Sequence, residues 1–164
     1  MKWLIGFALF FVLAASVEAS HYAGYKWTNT KAQNLTVYDA TLDSRNVAAV
    51  AEAVATWNLS PVVEMTIVRV PGDCADRNGA VVICEVEPCS GNWALITLKG
   101  GKISKVRIGL MSECATYEHL SGACHELGHA LGLNHRDLSA NSCLANNGSL
   151  YPEAHDYEQL EAIY

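Results

Sequence analysis

His125, Glu126, His129 and His135 have types and separations that could do chemistry, and they lie in the run His125-Glu126-Leu127-Gly128-His129-Ala130-Leu131-Gly132-Leu133-Asn134-His135. Imidazoles are common metal ligands and a carboxylate can act as a base. His125 and His129 are four residues apart, so on a helix their side chains project about 40° apart, one turn above the other. Two imidazoles can then grip one ion. His135 cannot join them from the same helix, because ten residues beyond His125 lies ~15 Å along the axis. The helix must therefore stop between His129 and His135. Gly132 supplies the stop, since glycine takes the left-handed conformation that ends a helix at little steric cost. Gly128, inside the helix, costs up to ~1 kcal/mol relative to alanine, and its missing side chain points to a close approach of another group.

Glu126 lies about 100° around the helix from His125, which puts its carboxylate to the side of the ion. That position suits a base acting on a water molecule at the metal. Three neutral imidazoles leave a tetrahedral zinc with one open place for that water, whose pKa falls to about 7. The expected reaction follows: Glu126 takes a proton as the water attacks a peptide carbonyl polarised by zinc, then delivers it to the leaving amine. One catalytic Zn2+ is expected, although three imidazoles also accept cobalt, nickel or copper. Surface decoration would have to explain five positions at once, and Glu126 has no evident structural task.

The elements that must position these residues are legible as periodicities. Leu35-Thr36-Val37-Tyr38 alternates like a strand. Asp43 or Ser44 can cap a helix in which Val47, Val50, Ala51, Val54 and Trp57 share a face, and Pro61 ends it. Met65 to Val70 and Ala80 to Val86 are rich in β-branched residues and read as strands. Ala94 to Leu98 and Lys102 to Gly109 flank Gly100-Gly101, a hairpin pair that predicts antiparallel neighbours. From about Thr116 to Leu131 the period is helical, with Leu120, Cys124, Leu127 and Leu131 on one face. Residues 136 to 155 read as loop, and Asp156 is expected to cap a closing helix that buries Tyr157, Leu160 and Ile163. Residues 20 to 34 read as an ordered arm.

Composition bounds the setting. Met1-Lys2 precedes an apolar run, and Val17-Glu18-Ala19 resembles a small-residue cleavage site, so residues 1–19 read as a signal peptide and 20–164 as one domain. A retained anchor is the alternative, but fifteen apolar residues fall short of the ~20 that a spanning helix needs. The net charge of -6 argues against a nucleic-acid partner. All six cysteines follow residue 19, an even number suited to three disulfides, and no Cys-x2-Cys pair favours a thiolate metal site. The chain is expected to be secreted and extracellular, free of the membrane after cleavage, and monomeric.

At His125, Glu126, His129, Gly132 and His135 the chain resembles the metzincin clan of zinc endopeptidases, whose pattern is His-Glu-x-x-His-x-x-Gly-x-x-His. Within the clan it is most similar to the matrixins and their small microbial relatives. Trp57-Asn58 and the closing helix from Asp156 to Leu160 extend a weaker likeness over residues 35 to 164. The resemblance implies an α+β fold: a twisted five-stranded mixed sheet with two main helices, an irregular lower subdomain, a short C-terminal helix and a substrate cleft between the subdomains. It implies a polypeptide substrate that adds to an antiparallel edge strand, for which Ala94 to Leu98 is the candidate.

The chain departs from the clan in two ways. Metzincins carry a methionine in a turn under the metal, and this chain has none after Met111; Leu144 is the expected replacement, with Leu150 a poorer fit. Leucine and methionine have similar volumes, so the exchange should cost less than ~1.5 kcal/mol. Matrixins are usually held latent by a cysteine in a pro-segment, and residues 20 to 34 contain none; the enzyme is then active once secreted, or controlled from outside this chain, or blocked by an arm retained in the cleft. Cys124 faces away from the ligands, and Cys143, beside the expected turn, is its expected partner. Pairing among Cys74, Cys84, Cys89 and Cys114 is not readable.

His119 lies on nearly the opposite side of the helix from His125 and is not expected to be a ligand, and His155 reads as structural or solvated. Tyr151 could stabilise an oxyanion, but packing is the favoured reading. Asn34 and Asn147 begin glycosylation acceptors that matter only in a suitable host. A secreted zinc-binding interaction protein with little turnover is the rival from another class, and Glu126 weighs against it.

Overall fold

The computed structural model describes residues 20–112 and 119–164. The expected signal peptide, Cys114 and the expected helix start at Thr116 lie outside the described residues. Five strands form one sheet: β1 (Leu35–Asp39), β2 (Met65–Arg69), β3 (Ala80–Val86), β4 (Trp93–Lys99) and β5 (Lys102–Met111). Helices α1 (Asn29–Ala32), α2 (Ser44–Trp57), α3 (His119–Ala130) and α4 (Ala154–Ile163) accompany them, with a 3-10 turn at Cys143–Ala145. This is the expected α+β architecture.

The strand order is β2-β1-β3-β5-β4. β1 runs parallel to both β2 and β3, β3 runs parallel to β5, and β4 is antiparallel to β5. Helix α2 is the crossover between the parallel pair β1 and β2, the connection that parallel strands require. The central strand β3 is buried through its first five residues, consistent with its unbroken Ala-Val-Val-Ile-Cys run. Gly100 and Gly101 carry φ of 59° and 75° and close the β4–β5 hairpin, as the Gly-Gly pair predicts. β4 is left at one edge of the sheet.

Asp43 caps α2 through a side-chain bond from Arg45 N. Its buried face differs from the expected one: Asn46, Ala49 and Ala53 join Val50, Val54 and Trp57, while Val47 is half-buried and Ala51 exposed. Polar Asn46 tolerates this burial because its amide donates to Met111 O at 3.2 Å and its oxygen meets His119 Nδ1 at 2.7 Å. The closing helix also differs. Its N-cap is Glu153, and Asp156 stands at the third position, accepting from Glu153 N at 2.8 Å. Leu160 is fully buried there, with Tyr157 and Ile163 packed beside it.

The arm from Ser20 is ordered and ties both halves together. Tyr22 bridges Leu133, and Lys26 bridges Lys102 at the start of β5. Trp27 is buried, its indole N–H donating to Ala130 O at 2.8 Å. Trp57 does the same from α2, donating to Cys124 O at 3.0 Å. Two tryptophans thus pin α3 through its own carbonyls. No helix among the described residues is long and apolar enough to cross a membrane.

Candidate metal centre

α3 ends in a glycine-terminated cap. Gly132 N donates to His129 O and Leu133 N to Gly128 O, while Gly132 adopts φ 92°. A Cβ on Gly132 would lie 2.4 Å from Tyr25 O, so both the backbone conformation and the arm demand glycine. The chain then reverses, Ala23 N and Asn134 N pairing with Gly132 O and His21 O across the arm. His135 is thereby returned to the helix.

The three imidazoles converge. His129 Nε2 lies 3.0 Å from His125 Nε2 and 3.2 Å from His135 Nε2. His125 Nδ1 is 2.8 Å from Cys143 O, and His129 Nδ1 is 2.9 Å from Leu133 O. A carbonyl can only accept, so both Nδ1 atoms carry the proton, and in the neutral rings both Nε2 atoms carry a lone pair. Two lone pairs facing each other at 3.0 Å make no hydrogen bond. Four tetrahedral ligands at 2.0–2.1 Å from zinc would be about 3.3 Å apart, close to the two separations that His129 makes, and all three ligand atoms lie within 4.8 Å of one another.

Burial favours the same ionisation. Desolvation lowers the His125 pKa, and it lowers that of His129 to about 4, despite the carbonyl bonds that pull the other way. Both rings are therefore neutral at pH 7, as ligands must be. Glu126 is 6 % exposed, and desolvation raises its carboxyl to about 7. Among the described residues, His125, His129 and His135 form the cluster able to hold a metal ion.

The floor beneath α3 is the 3-10 turn. Leu144 is fully buried there, and a Cβ on Gly128 would lie 2.7 Å from its Cδ2 and 3.0 Å from Trp57 Cζ2. Gly128 is thus the close approach that its lack of a side chain implies. Cys124 and Cys143 are disulfide-bonded, and Cys74 is bonded to Cys84. Cys89 is oxidised as well. Ser142 Oγ accepts from Leu144 N and donates to Asp156 Oδ2 at 2.7 Å. His21 Nε2 lies 3.1 Å from the other Asp156 oxygen. Burial works to raise the Asp156 carboxyl, but the bonds from His21, Ser142 and Glu153 outweigh it and hold the group below its usual value.

A cavity of about 670 Å3 opens on His125, Glu126, His129 and His135. Asn92, Ala94 and Met111 line it from the β4–β5 side, and Ser121, Asn146 and Gly148 from the α3 and floor sides. The arm lies elsewhere: Ser20, His21 and Tyr22 line a second cavity beyond His135. His119 points to Asn46, and His155 sits against Glu158 and the His21 ring. Tyr151 is 44 % exposed, and its carbonyl accepts from Cys143 N. The orienting carbonyls of Cys143 and Leu133 carry no signature in the sequence, because any residue type supplies a carbonyl.

No family model matches the sequence, and no curated protein matches it either. Solved structures do. Myroilysin is similar with a TM-score of 0.57 at 12% identity, over 89% of this chain and 98% of that one. High choriolytic enzyme 1, a hatching-enzyme zinc protease from Oryzias latipes (Medaka fish), gives a TM-score of 0.41 at 19% identity over 69% of this chain. The chain spans half the length of that enzyme. The likeness to myroilysin shows a shared α+β fold.

Proposed function

We propose that this protein is a secreted zinc-dependent endopeptidase of the metzincin type, matrixin-like by its motif, in which His125, His129 and His135 hold one zinc ion. The observation that carries the reading is the pair of Nε2 lone pairs of His125 and His129, 3.0 Å apart, with both Nδ1 atoms committed to carbonyls. A bound zinc ion would polarise the scissile carbonyl and lower the pKa of a water molecule. Glu126 takes the proton of the attacking water, holds it and delivers it to the leaving amine. Desolvation suits it to both tasks, since a carboxyl raised toward 7 gains and loses a proton near neutral pH.

An extended polypeptide is the substrate class. β4 lies at the sheet edge, and its Ala94 lines the cavity beside Glu126, so a peptide can add to it as a further antiparallel strand. One chain supplies every proposed site residue, so the site needs no second subunit, and the enzyme is proposed as a monomer. Disulfides among the described residues support export, with residues 1–19 as the signal peptide.

The test is metal analysis of protein purified without added ions. One zinc per chain is expected, lost in His129→Ala. A different metal would overturn zinc, and full zinc content in His129→Ala would overturn the ligand assignment.

A further inference from the structure

We propose that Trp93 and Leu95 form a specificity rim that selects polypeptide segments carrying two large apolar side chains separated by one residue. The inference rests on the endopeptidase reading and names which segments that site takes.

The register of β4 against β5 sorts its side chains between two faces. Ala94 and Ile96 stand opposite Ile108 and Val106 and pack against the core. Trp93 and Leu95 stand opposite Gly109 and Arg107, on the other face of the sheet. Both are exposed, Trp93 at 40 % and Leu95 at 60 %. Among the residues lining the cavity of Glu126 and the three imidazoles, Trp93 is the one exposed large apolar side chain. Its ring is held in place: a Cβ on Gly109 would lie 2.4 Å from Trp93 Cε2 and 2.6 Å from its Nε1, so the indole rests on backbone that only glycine leaves bare.

An open apolar edge strand invites pairing with another chain, and proteins blunt such edges with charges and bulges. In β4 both devices sit at the hairpin end, where the register shifts between Thr97 and Leu98 and Lys99 pairs with Lys102. The other end, Trp93-Ala94-Leu95-Ile96, carries no charge. Its Trp93 and Ala94 line the cavity, so the unprotected end of the edge is continuous with the proposed site. The occupant that fits this continuity is the substrate strand.

A peptide added antiparallel to β4 sets each side chain on the same face as that of the residue it opposes. The peptide residue opposite Ala94 therefore turns its side chain to the face of Ala94. Because the peptide runs against β4, the residue before it opposes Leu95 and the residue after it opposes Trp93. An apolar side chain at each of these places covers a neighbour that is otherwise in water. An aromatic one is favoured opposite Trp93, since aromatic pairs gain more than their buried area.

Two ten-residue peptides test this, one with Leu-Ala-Phe at its centre and one with Ser-Ala-Ser, bound to the non-cleaving Glu126→Ala protein and followed by calorimetry. Leu-Ala-Phe should bind about 30-fold tighter. Adding Trp93→Thr should cut that ratio about 10-fold and Leu95→Thr about threefold, with zinc content unchanged; threonine keeps a strand-forming side chain. Leu95 is exposed, so its variant keeps the test open if baring Gly109 unfolds the other. A ring that only packed on Gly109 would change the affinity for both peptides equally and leave the ratio. Trp27 and Trp57 are buried, so a blue shift of tryptophan emission on binding Leu-Ala-Phe reports Trp93 and should vanish in Trp93→Thr. In the cleaving enzyme, Trp93→Thr should raise KM for Leu-Ala-Phe about 10-fold with kcat within threefold. A ratio that is present and falls in the variants, in a protein without turnover, would sustain the rim and sink the endopeptidase reading. Equal affinity for the two peptides, no binding of either, or a ratio unchanged in both threonine variants would each overturn the proposal, and turnover beside such a result would leave the endopeptidase reading standing.

Discussion

His125 and Cys143 are joined twice: the Cys143 carbonyl lies 2.8 Å from His125 Nδ1, and the Cys143 sulfur is bonded to Cys124, the residue before His125. The covalent link fixes the distance between helix and floor, and the hydrogen bond uses that distance to set the ring's tautomer and tilt. Reduction with a dithiol, or the double change Cys124→Ala and Cys143→Ala, should therefore weaken zinc affinity by about 10- to 100-fold. It should also cost about 2–4 kcal/mol of stability for a loop of this length. Competition with a chromogenic chelator and chemical denaturation read the two effects separately. Unchanged zinc affinity after complete reduction would show that the carbonyl stays in place without the disulfide.

Glu126 should give a pH signature in two measurements. Its carboxyl is raised from 4.5 to about 7 by burial, so the fold favours its protonated form. That contribution to stability is fully present below about 4.5 and is lost as pH rises through about 7. In chelator-treated protein, Glu126→Gln should match the parent at pH 4 and exceed it at pH 8 by on the order of 2–3 kcal/mol. Catalysis runs the opposite way, since the base must be ionised: kcat/KM should fall on the acid side of neutrality. Bound zinc favours the carboxylate and moves that limb down, to between pH 4.5 and 7.

The floor should tolerate a change of shape better than a loss of volume. Leu144→Met keeps volume and should cost less than ~1.5 kcal/mol, whereas Leu144→Ala opens a cavity against Gly128 of α3 and should cost about 2–5 kcal/mol. Gly128→Ala drives a methyl into Leu144 and should cost roughly 1–3 kcal/mol. Equal thermal stability and zinc affinity for Leu144→Ala and the parent would remove Leu144 from the floor.

Asp156 ties the closing helix to the arm and to the floor through His21 and Ser142. Asp156→Asn leaves groups arranged for a carboxylate with an amide among them, and should cost about 2–4 kcal/mol at pH 7. Because the folded carboxyl is held below its usual value, this loss should shrink as pH falls through that lowered pKa. A stability difference that does not change between pH 7 and pH 2 would contradict the ionised network.

What was legible in the sequence was local. Gly132 marks the end of α3 and the return to His135, Gly100-Gly101 marks the hairpin, and the strand and helix runs appear within a few residues of their observed ends. What was not legible depends on partners far along the chain. Asp156 reads as a cap because capping is local, but Glu153 takes that place while Asp156 is drawn to His21 and Ser142. Polar Asn46 is buried by Met111 and His119, which no helical period can announce. The sheet order, with β1 between β2 and β3, and the Cys74–Cys84 bond are likewise matters of tertiary packing. At the site the four side chains were readable, but the carbonyls of Cys143 and Leu133 that orient two of them were not.

The most direct measurement is cleavage of an unstructured protein by the purified enzyme and by Glu126→Ala, with zinc content determined on the same samples. The parent should cleave, lose turnover on chelation and regain it with zinc. Glu126→Ala should retain one zinc yet be slower by about 100-fold or more. Cleavage by Glu126→Ala at the parent's rate, or turnover that survives complete removal of the metal, would contradict the zinc endopeptidase mechanism.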